Sequence, residues 1–133
     1  MFFKWILIYL IMKMPLPELL DRWSILKLKI ERIKEPHLNL EMEAYQKALD
    51  EFEEKGIEIK KKWLDELYDL NKQIWDLESD IRNGKEEELG LEEVGRRAIL
   101  IRETNKKRIT VKNKIVEESG HGFKDVKMNH ISE

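Results

Sequence analysis

Apolar residues recur through the middle of the chain in steps of three and four, a spacing that keeps them on one side of an α-helix. They are Leu38, Met42, Tyr45, Leu49, Phe52, Ile59, Trp63, Leu67, Leu70, Ile74, Leu77 and Ile81. Gly56 occupies the one position of this stripe that lacks an apolar side chain. Such a stripe is typical of helices that pack along their length on other helices, so the chain is predicted to be all-α.

A single straight helix over residues 38–81 is too long for a compact protein of this size. It would measure about 65 Å, because each helical residue adds about 1.5 Å. A compact chain of 133 residues is only about 36 Å across. Glycine is a weak point in a helix, so we expect the stripe to divide at Gly56 into helices over about 38–55 and 58–83, either separate or kinked.

Two further helices flank the stripe. One is predicted over about residues 16–34, because Pro17 suits the first turn of a helix and Pro36 prevents its continuation. Gly84 is a strong stop after the stripe, and the last helix is predicted over about residues 91–119. The short loop makes the second half of the stripe and the last helix an antiparallel hairpin. The expected fold is an elongated antiparallel bundle of three to four long helices with a coiled-coil-like hairpin.

Three segments are expected along the chain. Residues 1–11 form an apolar N-terminal extension, residues 12–119 the helical bundle, and residues 120–133 a polar mobile tail. The apolar run of the extension is far shorter than the ~20 residues that a membrane-spanning helix needs, so no membrane span is predicted. Either the extension packs on the bundle as a short strand or helix, or it is upstream sequence that is not translated, with Met12 or Met14 as the true start.

The composition narrows the classes of function. Charged residues make up 39% of the chain and Cys is absent, which excludes disulfides, thiolate nucleophiles and Cys-based metal sites, and agrees with a cytoplasmic location. Residues 35–93 carry eight Lys/Arg against 19 Asp/Glu, whereas the segments on either side carry an excess of cations. Either the basic ends fold back on the acidic middle, or they face an anionic partner.

Polar residues interrupt the seam of the last helix at Asn105, Arg108 and Lys112. If the hairpin closes around Glu87, Arg108 lies near Asp65 of the facing helix. One interpretation pairs these groups with the carboxylates of the facing helix and lets one buried Asn set the register. The other interpretation is that the polar part of the seam binds a ligand.

Three charged helical stretches cover most of residues 12–116. They are residues 15–33, residues 70–82 with Ile-Trp-Asp-Leu-Glu-Ser-Asp-Ile-Arg at 74–82, and residues 102–115 with Thr-Asn-Lys-Lys-Arg at 104–108. Together they resemble an uncharacterised family of small all-helical bacterial and phage proteins, a domain of unknown function. The resemblance implies no activity, cofactor or substrate, but it favours a start at Met12. It points to a candidate polar site made of Asp21, Lys29, Arg32, Trp75, Glu78, Asp80, Arg82, Asn105 and Arg108, and to Glu31 as one further position.

The expected function is a helical interaction or scaffolding module with a protein partner or a second copy, contacted through exposed Trp5, Trp23 or Trp63. An alternative is a ligand-binding protein or Mg-dependent hydrolase that acts on a phosphate-bearing small molecule such as a nucleotide. A further alternative is nucleic-acid binding through the basic last helix, although that helix has no aromatic residue on which bases could stack. No catalytic residue, cofactor or metal site is predicted.

Overall fold

The computed structural model describes residues 2–124, with side chains from Lys4 onward, and within them the chain forms six α-helices and no strand. The helices are α1 (Phe2–Met12), α2 (Leu16–Ile33), α3 (His37–Glu54), α4 (Lys61–Arg82), α5 (Glu86–Leu89) and α6 (Leu91–Ser119). The predicted all-α class is confirmed, and α2, α3, α4 and α6 are four long helices. Residues 125–133 of the predicted tail lie outside the described residues.

Helix α2 occupies the centre of the bundle, because it contacts α3, α4 and α6. Its buried leucines are Leu16, Leu19, Leu20, Leu26 and Leu28. Helices α4 and α6 form the predicted hairpin, and α5 packs on α6. Every member of the apolar stripe is buried or half-buried, so the stripe is the inner face of α3 and α4.

The apolar N-terminal segment forms a helix, and α1 packs on α3. Ile11 is fully buried in this contact, and Ile8 and Met12 are packed against the core from one side. Of the two conformations expected for a folded extension, the helix is therefore the one adopted. Among residues 2–124, no helix combines the length and the apolar character that crossing a bilayer requires.

Trp63 differs from expectation, because its side chain is buried rather than available to a partner. Only 2% of it is exposed, and its Nε1 donates a hydrogen bond to Glu118 Oε1 at 2.8 Å. Trp63 thus ties the start of α4 to the end of α6. The expected role as an exposed contact residue is wrong for Trp63, whereas Trp5 is exposed and Trp23 is half-buried.

The apolar stripe divides at Gly56, where α3 ends in a Schellman motif. Gly56 has a φ of 89°, in the left-handed region, and its N–H donates to the Glu53 carbonyl. The N–H of Ile57 donates to the Phe52 carbonyl at 3.1 Å, and both side chains pack against the core. The predicted break is therefore a separation into two helices, with residues 55–60 between them.

Replacing Gly56 with alanine should lower the free energy of unfolding by about 1 kcal/mol, because an L-residue is strained at positive φ. A new Cβ would meet no atom within 4 Å, so the cost is one of backbone conformation alone. Gly95→Ala in α6 is the matched control, since that site is also open but has helical backbone. In Gly95→Ala the free energy of unfolding should rise by about 0.5–1 kcal/mol, because alanine is favoured over glycine inside a helix. Urea unfolding would measure both, and equal effects of the two substitutions would contradict this account.

The hairpin closes near the predicted point. Arg97 of α6 donates to Asp80 Oδ2 at 3.1 Å and to the Leu77 carbonyl at 3.4 Å, and closure around Glu87 places it opposite residue 77. The expected contact of Arg108 with Asp65 is wrong, because α2 packs on both α4 and α6 and supplies the counter-ion Asp21. Asp65 pairs with Lys61 instead.

Candidate functional site

A buried polar network joins α2, α4 and α6 at the centre of the bundle. Asp21 of α2 is only 3% exposed. Its Oδ1 accepts a hydrogen bond from Asn71 Nδ2 of α4 at 2.9 Å. Its Oδ2 accepts one from Arg108 of α6 at 3.2 Å. Ser24 donates to the Asp21 carbonyl and accepts a second bond from Asn71 at 2.8 Å. We call Asp21, Ser24, Asn71 and Arg108 the Asp21 network.

A second ion pair lies one turn from this network, between Glu18 of α2 and Lys112 of α6. Arg22 also approaches Glu18 at 3.5 Å. Burial of the Glu18 carboxyl opposes its ionisation, but the hydrogen bond and charge of Lys112, helped by Arg22, outweigh it and lower the pKa of Glu18. Lys112 is only 8% exposed, so this pair and the Asp21 network hold α6 against α2 through charged groups.

Two adjoining clefts open on either side of Arg108. The first, of about 590 Å³, is lined by the Glu18–Lys112 pair and by Tyr45 of α3, where burial raises the pKa of the hydroxyl. The second, of about 560 Å³, lies between α2, α4 and α6. Arg108 and Lys29 line both clefts. Volumes in this range are typical of small-molecule sites.

The second cleft collects most of the candidate residues that the sequence indicated. Those that line it are Lys29, Trp75, Glu78, Arg82, Asn105 and Arg108. Asn71 of the Asp21 network also lines it, and Asp21 lines the first cleft. Glu78 pairs with Arg82 along α4 at 2.5 Å. We call this second cavity the α2/α4/α6 cleft.

Besides Asp21, three candidate residues lie outside the lining of the α2/α4/α6 cleft. Arg32 pairs with Asp76 at 2.6 Å, and its guanidinium lies 5.6 Å from the centroid of the Trp75 ring. Asp80 pairs with Arg97 of α6. Glu31 accepts a hydrogen bond from the hydroxyl of Tyr68. Arg32 thus contacts the ring of Trp75, whereas Asp80 and Glu31 join helices elsewhere.

Helical spacing explains why these side chains meet. Asn71, Trp75, Glu78 and Arg82 follow one another in α4 at steps of four, three and four, so they share a face. In α6, Asn105 and Arg108 are three residues apart, and in α2, Lys29 lies eight residues after Asp21. Each helix therefore presents one polar strip to the cleft.

Several donors in the α2/α4/α6 cleft have no acceptor among residues 2–124. Arg108 uses only Nη1, towards Asp21, while its buried Nε has no partner and its Nη2 makes no hydrogen bond in the described structure. The amide of Asn105 and the ammonium of Lys29 likewise make no hydrogen bond or ion pair with any described residue. Asp21 balances the charge of Arg108 but leaves most of its five donors unused.

Sequence reasoning missed the partners that hold the site together, which are Glu18, Ser24 and Asn71. The available signal was the spacing in α2, since Glu18 and Ser24 lie three residues on either side of Asp21. Asn71 is the buried Asn of the hairpin, at 5% exposure, whereas Asn105 is half-buried.

The acidic residues of α4 are spread among different cations. Asp65 pairs with Lys61 at 2.7 Å, and Asp76, Glu78 and Asp80 pair with three separate arginines. Within residues 2–124, no three His, Asp or Glu side chains are grouped closely enough to hold a metal ion.

Comparison with known proteins finds no match: no family model fits the chain, and no curated protein or solved structure is detectably similar to it.

Proposed function

We propose that the protein binds a small molecule that carries a phosphate and a flat ring, such as a nucleotide, in the α2/α4/α6 cleft. The observation that carries this proposal is the convergence on one cavity of about 560 Å³ of Arg108, which makes a single hydrogen bond, with Asn105 and Lys29, which pair with no described residue. A purely structural network would pair the half-buried Arg108 and Asn105 internally, because unsatisfied polar groups near the interior are costly. The exposed Lys29 adds a cation at the edge of the cavity.

The charge of the cleft favours an anion. Lys29, Arg82 and Arg108 line it with Glu78 as the one carboxylate. Glu78 is engaged by Arg82, and Arg108 is held in place by Asp21, so the guanidinium is oriented before any ligand arrives. Guanidinium and ammonium donors recognise phosphate through charge-assisted hydrogen bonds, and the planar guanidinium can do so in a bidentate manner.

The remaining walls of the cleft favour a flat ring beside the anion. Trp75 lines it, with Arg32 supporting its ring, and apolar side chains surround this region. They are Ile25, Leu28, Ile33, Ile74 and Ile101. Aromatic side chains stack on planar ligands, and the amide of Asn105 offers both a donor and an acceptor to the edge of a heterocycle. The proposal concerns binding, and no residue is assigned a catalytic role.

Titration calorimetry of the full chain with AMP, adenosine and inorganic phosphate tests this proposal. AMP should bind more tightly than either fragment, because only AMP fills both the cationic and the aromatic part of the cleft. Lys29→Ala should weaken AMP binding about tenfold, which corresponds to the loss of about 1.4 kcal/mol from one charge-assisted contact. Asn105→Ala should weaken AMP and adenosine but leave phosphate unchanged.

Lys72→Ala is the matched control for Lys29→Ala. Lys72 is also an exposed lysine, on α4, but it does not line the cleft. Its replacement should leave the affinity for AMP unchanged. Equal loss of affinity in both variants would show general charge attraction instead of a site, and failure of AMP, GMP, CMP and UMP alike to release heat would contradict a nucleotide ligand.

A further inference from the structure

Helix α1 exposes an unusually large amount of apolar side chain. Trp5 is 69% exposed and Tyr9 61%, and Leu10 and Leu7 are each about half exposed. Leu40 of α3 extends the same surface, since it is also 54% exposed. Contiguous apolar surface of this kind marks an interaction site in a soluble protein.

The contact of α1 with α3 leaves grooves that are open to solvent. One, of about 300 Å³, is lined mainly by apolar atoms of Leu7, Ile8, Ile11, Leu40 and Ala44. Another, of about 680 Å³, runs between Trp5 and the acidic end of α3. The surface therefore has both protruding side chains and recesses that can receive such side chains. We call the exposed residues of α1 with these grooves the α1/α3 surface.

The larger groove of the α1/α3 surface carries charges of both signs. Two lysines and four carboxylates line it, namely Lys4, Lys47, Glu43, Asp50, Glu51 and Glu54. None of these six side chains makes an ion pair within residues 2–124. In a twofold arrangement, the lysines of one copy can meet the carboxylates of α3 in the other copy, twice.

The area is sufficient for a specific contact. An aromatic side chain buries about 150–250 Å² when it is fully covered, so Trp5, Tyr9 and the neighbouring aliphatic residues offer roughly 500 Å² of apolar surface per chain. Two copies contribute twice that amount, and the charged rim brings the total within the range of about 1,200–2,000 Å² that specific interfaces bury.

We infer that the α1/α3 surface joins two copies of this chain in a twofold dimer. An anionic lipid surface fits less well, because the acidic residues of α3 beside α1 would be repelled by it. The inference does not depend on the proposed ligand, since the α1/α3 surface shares only Glu41 with the lining of the two clefts around Arg108.

Light scattering after size-exclusion chromatography of the full chain tests the inference. The wild type should elute with twice the mass of one chain. Trp5→Glu and Leu10→Glu should each raise the dissociation constant at least about tenfold, because each puts a charge in the apolar contact. Leu91→Glu is the control, since Leu91 is 89% exposed on α6 and its replacement should leave the dimer intact.

Circular dichroism would show that both α1 variants keep the helical content of the wild type. A wild type that stays monomeric at its highest soluble concentration would overturn the inference, and so would a dimer that survives both α1 substitutions. A monomer that sediments with phosphatidylcholine vesicles would overturn it in favour of a lipid surface. Lys29→Ala should leave the mass unchanged, which separates this test from that of the ligand site.

Discussion

Replacing Asp21 with alanine is expected to lower the free energy of unfolding by about 3–5 kcal/mol, the range for removing one partner of a buried ion pair. The substitution leaves the guanidinium of Arg108, with only 18% of its side chain exposed, without its counter-ion. It also takes one acceptor from the amide of Asn71. Because the network joins α2, α4 and α6, the whole bundle should lose stability, as urea unfolding followed by circular dichroism would show.

A double variant distinguishes the effect of an uncompensated buried charge from the effect of lost side-chain volume. When Asp21→Leu is combined with Arg108→Met, no uncompensated charge remains, and the loss of stability should be much smaller than for Asp21→Ala. The same double variant should lose the affinity for AMP, because Arg108 is then absent from the cleft. If Asp21→Ala unfolds within about 1 kcal/mol of the wild type, the Asp21 network contributes no more than a surface pair and our description of the centre is wrong.

The second large effect is expected at Trp63. Trp63→Ala should lower the free energy of unfolding by about 3–5 kcal/mol, because it removes the largest fully buried side chain and leaves a cavity between α4 and α6. Leu91→Ala, at an exposed position, is the control and should change stability by less than about 0.5 kcal/mol. A similar small effect of Trp63→Ala in the same unfolding assay would contradict its burial.

The hydrogen bond from Trp63 also makes the contribution of Glu118 to the free energy of unfolding depend on pH. The hydrogen bond from Trp63 Nε1, together with the charge of Lys60, lowers the pKa of the Glu118 carboxyl despite its partial desolvation. The folded-state pKa is therefore below the unfolded one, so this contribution is fully present above the ordinary carboxyl pKa and is lost as the pH falls through the lowered value. Trp63→Phe removes this hydrogen bond, so the free energy of unfolding should fall less between neutral and acidic pH in the variant than in the wild type, as urea unfolding at both pH values would show.

The sequence was sufficient for the four long helices and for the inner face of α3 and α4, whereas α5 lies in the predicted loop. The steps of three and four from Leu38 to Ile81 identified side chains that are all buried or half-buried. Gly56 was recognised as a break because glycine is a weak point in a helix, and Gly84 as a stop because glycine ends helices in the left-handed conformation. Both have positive φ in the structure. These features are local, since spacing and turn residues act within a few positions of the chain.

The partners of the polar residues on α6 could not be predicted from such local signals. Arg108 was expected near Asp65, but its partner is Asp21, which lies 87 residues away in the chain. Periodicity shows which face of a helix turns inward, but it does not show which of two neighbouring helices supplies a counter-ion. The resemblance indicated half of the residues that line the cleft, and only the packing of α2 on α4 and α6 brings them together.

The side chains at and around the α2/α4/α6 cleft differ in how much the fold depends on them. Asp21, which holds Arg108 at the edge of the cleft, is almost fully buried, whereas Lys29 is exposed and Asn105 has no partner among the described residues. A substitution at Asp21 is therefore expected to lower stability, while substitutions at Lys29 or Asn105 should have little structural effect. If the cleft binds the proposed ligand, its preference can change during evolution through Lys29 and Asn105, while the Asp21 network keeps the same three helices together.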